Sequence, residues 1–119
     1  MKNVSSNTIN YIKFIKATEA FRQSIVFTSI DFIEEKLLQN IIINWYSGSP
    51  ITVSETLEAV KEISNSTLNR RLKNLRKAGM ISQVADEIDN RIKYVHPTEL
   101  CIEYFNLISN VSIDSMRAN

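Results

Sequence analysis

Gly48, Pro50, Gly79 and Pro97 are all the glycine and proline in this 119-residue chain, and each sits at the border of a helical run, the first three where one stops and Pro97 where one starts. Glycine supplies left-handed backbone and proline removes a donor, so these are the residues at which a helix closes or a chain turns. A chain so poor in turn-formers is not a sandwich of many short strands. It reads as mainly α, with room for one small β element between Gly79 and Pro97. Its length suits a single domain around one core.

Residues 7 to 27 read as a first helix whose apolar side chains, Ile9, Tyr11, Ile12, Phe14, Ile15, Phe21 and Ile25, spread over more than one face. A second, core helix is expected over 31 to 47. It is capped by Ser29 or Asp31 and carries Ile33, Leu37, Ile41 and Trp45 at four-residue steps, with Leu38 and Ile42 beside them; Gly48 and Pro50 end it. After a short extended piece, Thr52 stands three residues before Glu55, the capping-box spacing. The third helix carries a stripe of Val53, Leu57, Val60 and Ile63. Only Ser64 and Asn65 separate it from the next helix, so residues 51 to 79 read as a helix-turn-helix. Residues 80 to 96 read as two strands joined across the polar sequence Asp86 to Asn90. A last helix over 97 to 111 has Pro97 in its first turn and a stripe of Leu100, Tyr104, Leu107 and Val111.

Charge is concentrated in one place. The formal net charge is +1, yet residues 65 to 79 hold five Lys or Arg and no Asp or Glu. Recognition of a polyanion depends on the local field rather than the total. At about 100° per residue, Leu68, Leu72 and Leu75 share one face of this helix, and Ser66, Arg70, Lys73 and Lys77 fall on the opposite side. Arg71 and Arg76 flank the leucines, where long stems reach outward to either side. Such a helix fits the major groove of double-stranded DNA. Asn65, Ser66, Asn69 and Arg70 are the candidates for base edges, with Thr67 beside them, Lys73, Arg76 and Lys77 are those for phosphate, and Arg71 is counted among the DNA-binding residues with them.

Residues 51 to 98 resemble a winged helix-turn-helix of the MarR type in "ITVSETLEAV", "SNSTLNRRLKNLRKAGMI" and "DNRIKYVHPTEL". The most specific match is Asp89-Asn90-Arg91, the family's Asp-x-Arg, followed by "HPTEL" at the start of the next helix. The resemblance implies that Arg91, with Lys93 nearby, serves the wing's minor-groove contact and that Asp89 positions the Arg91 guanidinium. It also implies a homodimer through residues 7 to 27 and 98 to 111, acting as a repressor of transcription. Residue pattern alone leaves a monomer open, with those helices capping its core.

Other functions find less in the sequence. His96 has no catalytic partner in any neighbouring motif, and no glycine-rich phosphate loop occurs, so no enzyme is expected. One cysteine and one histidine leave no metal site and no disulfide, and no cofactor is expected. Cys101 reads as a packing residue between Leu100 and Ile102, with oxidant sensing as the alternative. Trp45, at helical spacing with Leu37 and Ile41, reads as core, with a pocket lined by Trp45 and Tyr46 for an unknown small-molecule effector as the alternative. No membrane span and no secretory signal are seen, which implies the cytoplasm. The runner-up function is a winged-helix protein-interaction module, which the acidic Asp86, Glu87 and Asp89 would suit.

Overall fold

The structure, a computed structural model, describes residues 3–22 and 30–117. In order, the elements are α1 (Ser6–Arg22), α2 (Phe32–Tyr46), α3 (Val53–Glu58), α4 (Asn65–Lys77), β1 (Ile81–Ala85), β2 (Lys93–Pro97) and α5 (Glu99–Arg117). The architecture is the expected one, mainly helical with one two-stranded antiparallel sheet. Two compact units emerge. One is residues 31–102; the other combines the residues up to Ile30 with those from Glu103 onward.

In the unit of residues 31–102, α2 starts at Asp31; Ser29, the other N-cap candidate, lies outside the described residues. The Asp31 carboxylate accepts from the Glu34 amide at 2.8 Å, and Glu34 Oε1 accepts from the Asp31 amide at 3.1 Å, a complete capping box. Gly48, at φ +83°, follows the helix end, in backbone geometry that a side chain disfavours. The deeply buried positions of α2 are Leu37, Leu38 and Ile41, while Ile33 and Trp45, expected in the same stripe, are half-buried. With Ile51, Leu68, Leu72, Leu75, Met80, Ile81, Val95 and Cys101 they form the core, each large aliphatic side chain contributing roughly 1.5–3 kcal/mol on burial.

The helix-turn-helix differs from expectation in its connection. Thr52 and Glu55 make the expected capping box, but α3 ends at Glu58 instead of running to Ile63. Residues 59–64 join it to α4, so the turn is longer than Ser64 and Asn65. Ser64 is the N-cap of α4 and must be extended there (φ −63°, ψ 148°) for its hydroxyl to accept from the Thr67 amide. The chain therefore reverses before Ser64, and Val60 and Ile63 lie in the turn, half-buried. The buried side chain of α3 is Thr56, whose hydroxyl donates to the Thr52 carbonyl at 2.8 Å.

β1 and β2 pair in register from Ile81 opposite Pro97 to Ala85 opposite Lys93. The expected extended piece before α3 joins them: the Val95 amide donates to the Ile51 carbonyl at 2.8 Å, and Thr52 bridges Tyr94. Pro97 is the last residue of β2 and not part of the last helix. Thr98 starts that helix instead, its hydroxyl accepting from the Cys101 amide at 3.3 Å while donating to the Gly79 carbonyl at 2.5 Å. Cys101 is buried, as expected of a packing residue, whereas Leu100 and Ile102, expected to be buried on either side of it, are 40% and 41% exposed.

In the other unit, α1 exposes Ile9, Tyr11 and Ile12, with Tyr11 stacked on Phe14 at 6.1 Å between centroids. Tyr104 is buried and meets Phe105 edge-on at 5.4 Å. Of the positions expected on these helices, Ile25 lies outside the described residues, as do the side chains of Phe21 and Val111. The expected first helix extends to 27; its residues 23 to 27 also lie outside them.

Candidate nucleic-acid interface

The sequence of α4 places its charge by burying its leucines. Leu68, Leu72 and Leu75 are at most 2% exposed, so the opposite face must look outward. Asn65, Ser66, Arg70, Lys73, Arg76 and Lys77 are exposed along it, and Asn69 and Thr67 are half-buried. Thr67 is engaged in the cap, where its hydroxyl accepts from Ser64 at 3.0 Å. No acidic residue occurs between Glu62 and Asp86 to cancel this face. The helix ends at Lys77, and Gly79 at φ +78° turns the chain into the hairpin.

Arg71 departs from the outward reach expected of it. Its guanidinium turns back to α2 and pairs with the Asp31 carboxylate, and Nη1 also lies 3.9 Å from Glu34 Oε2. The cause is its place at the edge of the leucine stripe, where the acidic N-terminus of α2 is within reach. Its Nε is buried without a hydrogen-bond partner among the described residues.

The hairpin brings the remaining candidates together. The Asp89 carboxylate accepts from Arg91 Nε at 3.0 Å, from Nη2 at 2.9 Å and from the Arg91 amide at 3.1 Å, so the guanidinium is held in a planar fork. These bonds hold the Asp89 carboxyl below the ordinary carboxylate value and raise the Arg91 guanidinium. The Arg91 side chain remains 87% exposed and Lys93 is exposed too.

Asp86 was not singled out in the sequence except as wing charge. Its carboxylate accepts from the Asp89 amide at 2.9 Å, the Ile88 amide at 3.0 Å and the Tyr94 hydroxyl at 3.0 Å, in that way building the loop that aims Arg91. The two amides and the hydroxyl hold its carboxyl low, and Tyr94 is raised in return. The signal available in the sequence was an Asp two and three residues ahead of the donors, the usual Asx-turn spacing. Ile88, at the loop's tip, is 98% exposed.

Between hairpin and helix-turn-helix lies a cleft of about 490 Å³, lined by Thr52, Val53, Ser54, Gln83, Arg91, Ile92 and Lys93. Among the described residues no cluster of His, Cys, Asp or Glu is placed to hold a metal, and no helix is long and apolar enough to cross a membrane. Burial pushes the Cys101 thiol up to about 12, which leaves almost no thiolate at neutral pH.

No family model and no curated protein matches the sequence. Solved structures do match the fold. The transcriptional regulator Tm0710 of Thermotoga maritima superposes with a TM-score of 0.70 at 16% identity, over 92% of this chain and 70% of that one. The F27L variant of Staphylococcus aureus MepR, solved bound to an oligodeoxyribonucleotide, gives 0.69 at 19% identity over 93% and 75%. A MarR protein from Peptoclostridium difficile gives 0.54 at 23% identity over 93% and 64%. In helix order, hairpin and capped helix-turn-helix, the chain has the winged helix-turn-helix fold of MarR-type transcriptional regulators.

Proposed function

We propose that this protein is a sequence-specific regulator of transcription that binds double-stranded DNA as a homodimer and represses by occluding a promoter. The observation that carries the reading is the α4 ridge: Arg70, Lys73, Arg76 and Lys77 exposed on one side, three leucines buried on the other, and no acid in the surrounding sequence. In this reading α4 enters the major groove, Asn65, Ser66, Asn69 and Arg70 meet base edges, and Lys73, Arg76 and Lys77 meet phosphates. The cleft between Thr52, Ser54, Gln83 and Lys93 takes the adjoining backbone, and Arg91 reaches the minor groove. A DNA-bound protein of the same fold supports this use of it.

The exposed Ile9, Tyr11 and Ile12 of α1 support a second copy as their cover, because apolar patches left open on one chain mark interfaces. Two copies present two α4 helices to two half-sites about one helical turn apart.

The deciding experiment is fluorescence anisotropy on a pool of random duplex DNA across salt concentrations. A log-log slope near about −5, for roughly six neutralised phosphates, is the expected result. One observation favours a protein-interaction module instead: fully exposed Ile88 beside Glu87 at the tip of the hairpin. Absence of DNA binding even at low salt selects that reading.

A further inference from the structure

We infer that Arg71, although it belongs to the basic helix, contacts no DNA and is a positioning residue that fixes the roll of α4 by pairing with the capping box of α2. The inference rests on the DNA-binding reading and assigns a different task to one of its five cations.

The geometry behind it is a division of labour among four carboxylate oxygens. Asp31 Oδ1 accepts from the Glu34 amide, and Glu34 Oε1 from the Asp31 amide. Those two atoms complete the start of α2. The other two oxygens face Arg71: Asp31 Oδ2 pairs with Nη1, and Glu34 Oε2 lies 3.9 Å from the same nitrogen. The Glu34 side chain is 5% exposed, while those of Arg71 and Asp31 are 29% and 38% exposed, so the pair is partly buried and partly screened by solvent. A cation beside a helix N-terminus is disfavoured by the helix dipole, and two carboxylates there reverse that field. The guanidinium holds this position although its buried Nε has no hydrogen-bond partner among the described residues.

An ion pair here does something the leucines cannot. Burial of Leu68, Leu72 and Leu75 holds α4 against the core, but apolar attraction is non-directional and tolerates small rotations about the helix axis. Arg71 lies at the edge of the stripe, and a directional contact off the axis resists such rotation. Rotating α4 would swing Arg70, Lys73 and Lys77 away from the groove together. Specific binding, which needs side chains aligned to base edges, would suffer more than charge-driven binding.

The test uses the full chain with Asp31→Asn and Glu34→Gln combined. Asn is as good an N-cap as Asp, and Gln serves in a capping box, so α2 keeps its start while Arg71 loses its anionic partners. Thermal melting establishes that the variant is folded. Anisotropy is then read on the random duplex pool and on a duplex selected from it with the wild type. The proposal expects the ratio of specific to non-specific affinity to fall about tenfold, in the range of ordinary coupling between sites, although the protein has become more positive. Tighter binding to both DNAs with an unchanged ratio overturns it.

Arg71→Gln supplies an independent readout. Positioning predicts a reduced ratio, an unchanged salt slope and no further loss when Arg71→Gln is added to the Asn/Gln variant. A salt slope smaller by about one, with additive losses, makes Arg71 a phosphate contact and overturns the inference. Wild-type protein that binds no duplex overturns the DNA reading and the inference together, whereas the outcomes above overturn the inference alone.

Discussion

Asp86 and Asp89 are spent within the hairpin they appear to make acidic. Asp86 accepts from two amides and a tyrosine hydroxyl, and Asp89 from the guanidinium and amide of Arg91. Both carboxyls titrate below their ordinary value of 3.8 in the folded protein. Because the folded values are depressed, their contribution is fully present above 3.8 and is lost as pH falls through the lower folded values. The amide NMR shifts of Ile88, Asp89 and Arg91 are therefore expected to stay fixed from pH 7 to 5 and to move only on strong acidification. The basic residues carry a separate expectation. Arg70→Ala costs about 1–3 kcal/mol of binding and relaxes discrimination at one base pair if Arg70 reads guanine, whereas Lys77→Ala weakens all sequences alike. Affinities on a panel of single-base operator variants separate the two. The Asp89–Arg91 pair was legible because both residues lie in one short motif. The Arg71–Asp31 pair was not, because its partners are 40 positions apart and only the packing of α4 against α2 brings them together.

The caps and stripes of individual helices follow local rules, and this is where the sequence was most informative. The Thr52–Glu55 box, the leucines of α4 and the left-handed Gly48 and Gly79 all depend on neighbours within a few positions. The errors occur where one local signal competes with another. Val60 and Ile63 continue a helical spacing, but Ser64 must be extended to cap α4, and the cap ends α3 early. Pro97 suits a helix start, but pairing with Ile81 keeps it in the strand, and Thr98 takes over the cap. The consequence for α4 is a helix held chiefly by its apolar face. Leu72→Ala is expected to destabilise the fold by about 2–5 kcal/mol, read by urea denaturation, through lost burial and the cavity left behind. DNA binding should weaken only as far as the folded fraction does.

The proposed self-association is a property that no single helix would determine. Ile9, Tyr11 and Ile12 are 43%, 62% and 42% exposed on the isolated chain. Sedimentation is expected to give a dimer, and Tyr11→Glu, which sets a charge in that patch, to shift it toward monomer. Loss of the dimer should weaken binding to a two-half-site duplex far more than to a half-site, since the second helix no longer engages for free. Binding that is unchanged on both duplexes would assign α1 some other cover. The surplus of apolar residues in the first helix was legible from spacing alone. Which of them stay exposed was not, because exposure depends on chain segments remote in sequence.

The two compact units differ in how they are threaded, and that affects the order in which the protein can be made. Residues 31–102 are continuous, whereas the other unit joins the start of the chain to its end. At a synthesis rate of roughly 5–20 residues per second, the continuous unit has all its residues several synthesis steps before the last helix is complete. The α1 helix precedes the continuous unit in sequence, and the rest of its own unit follows that unit. Until Glu103 and the residues after it exist, the apolar side chains of the first helix, Ile9, Tyr11 and Ile12 among them, lack the other half of their own unit.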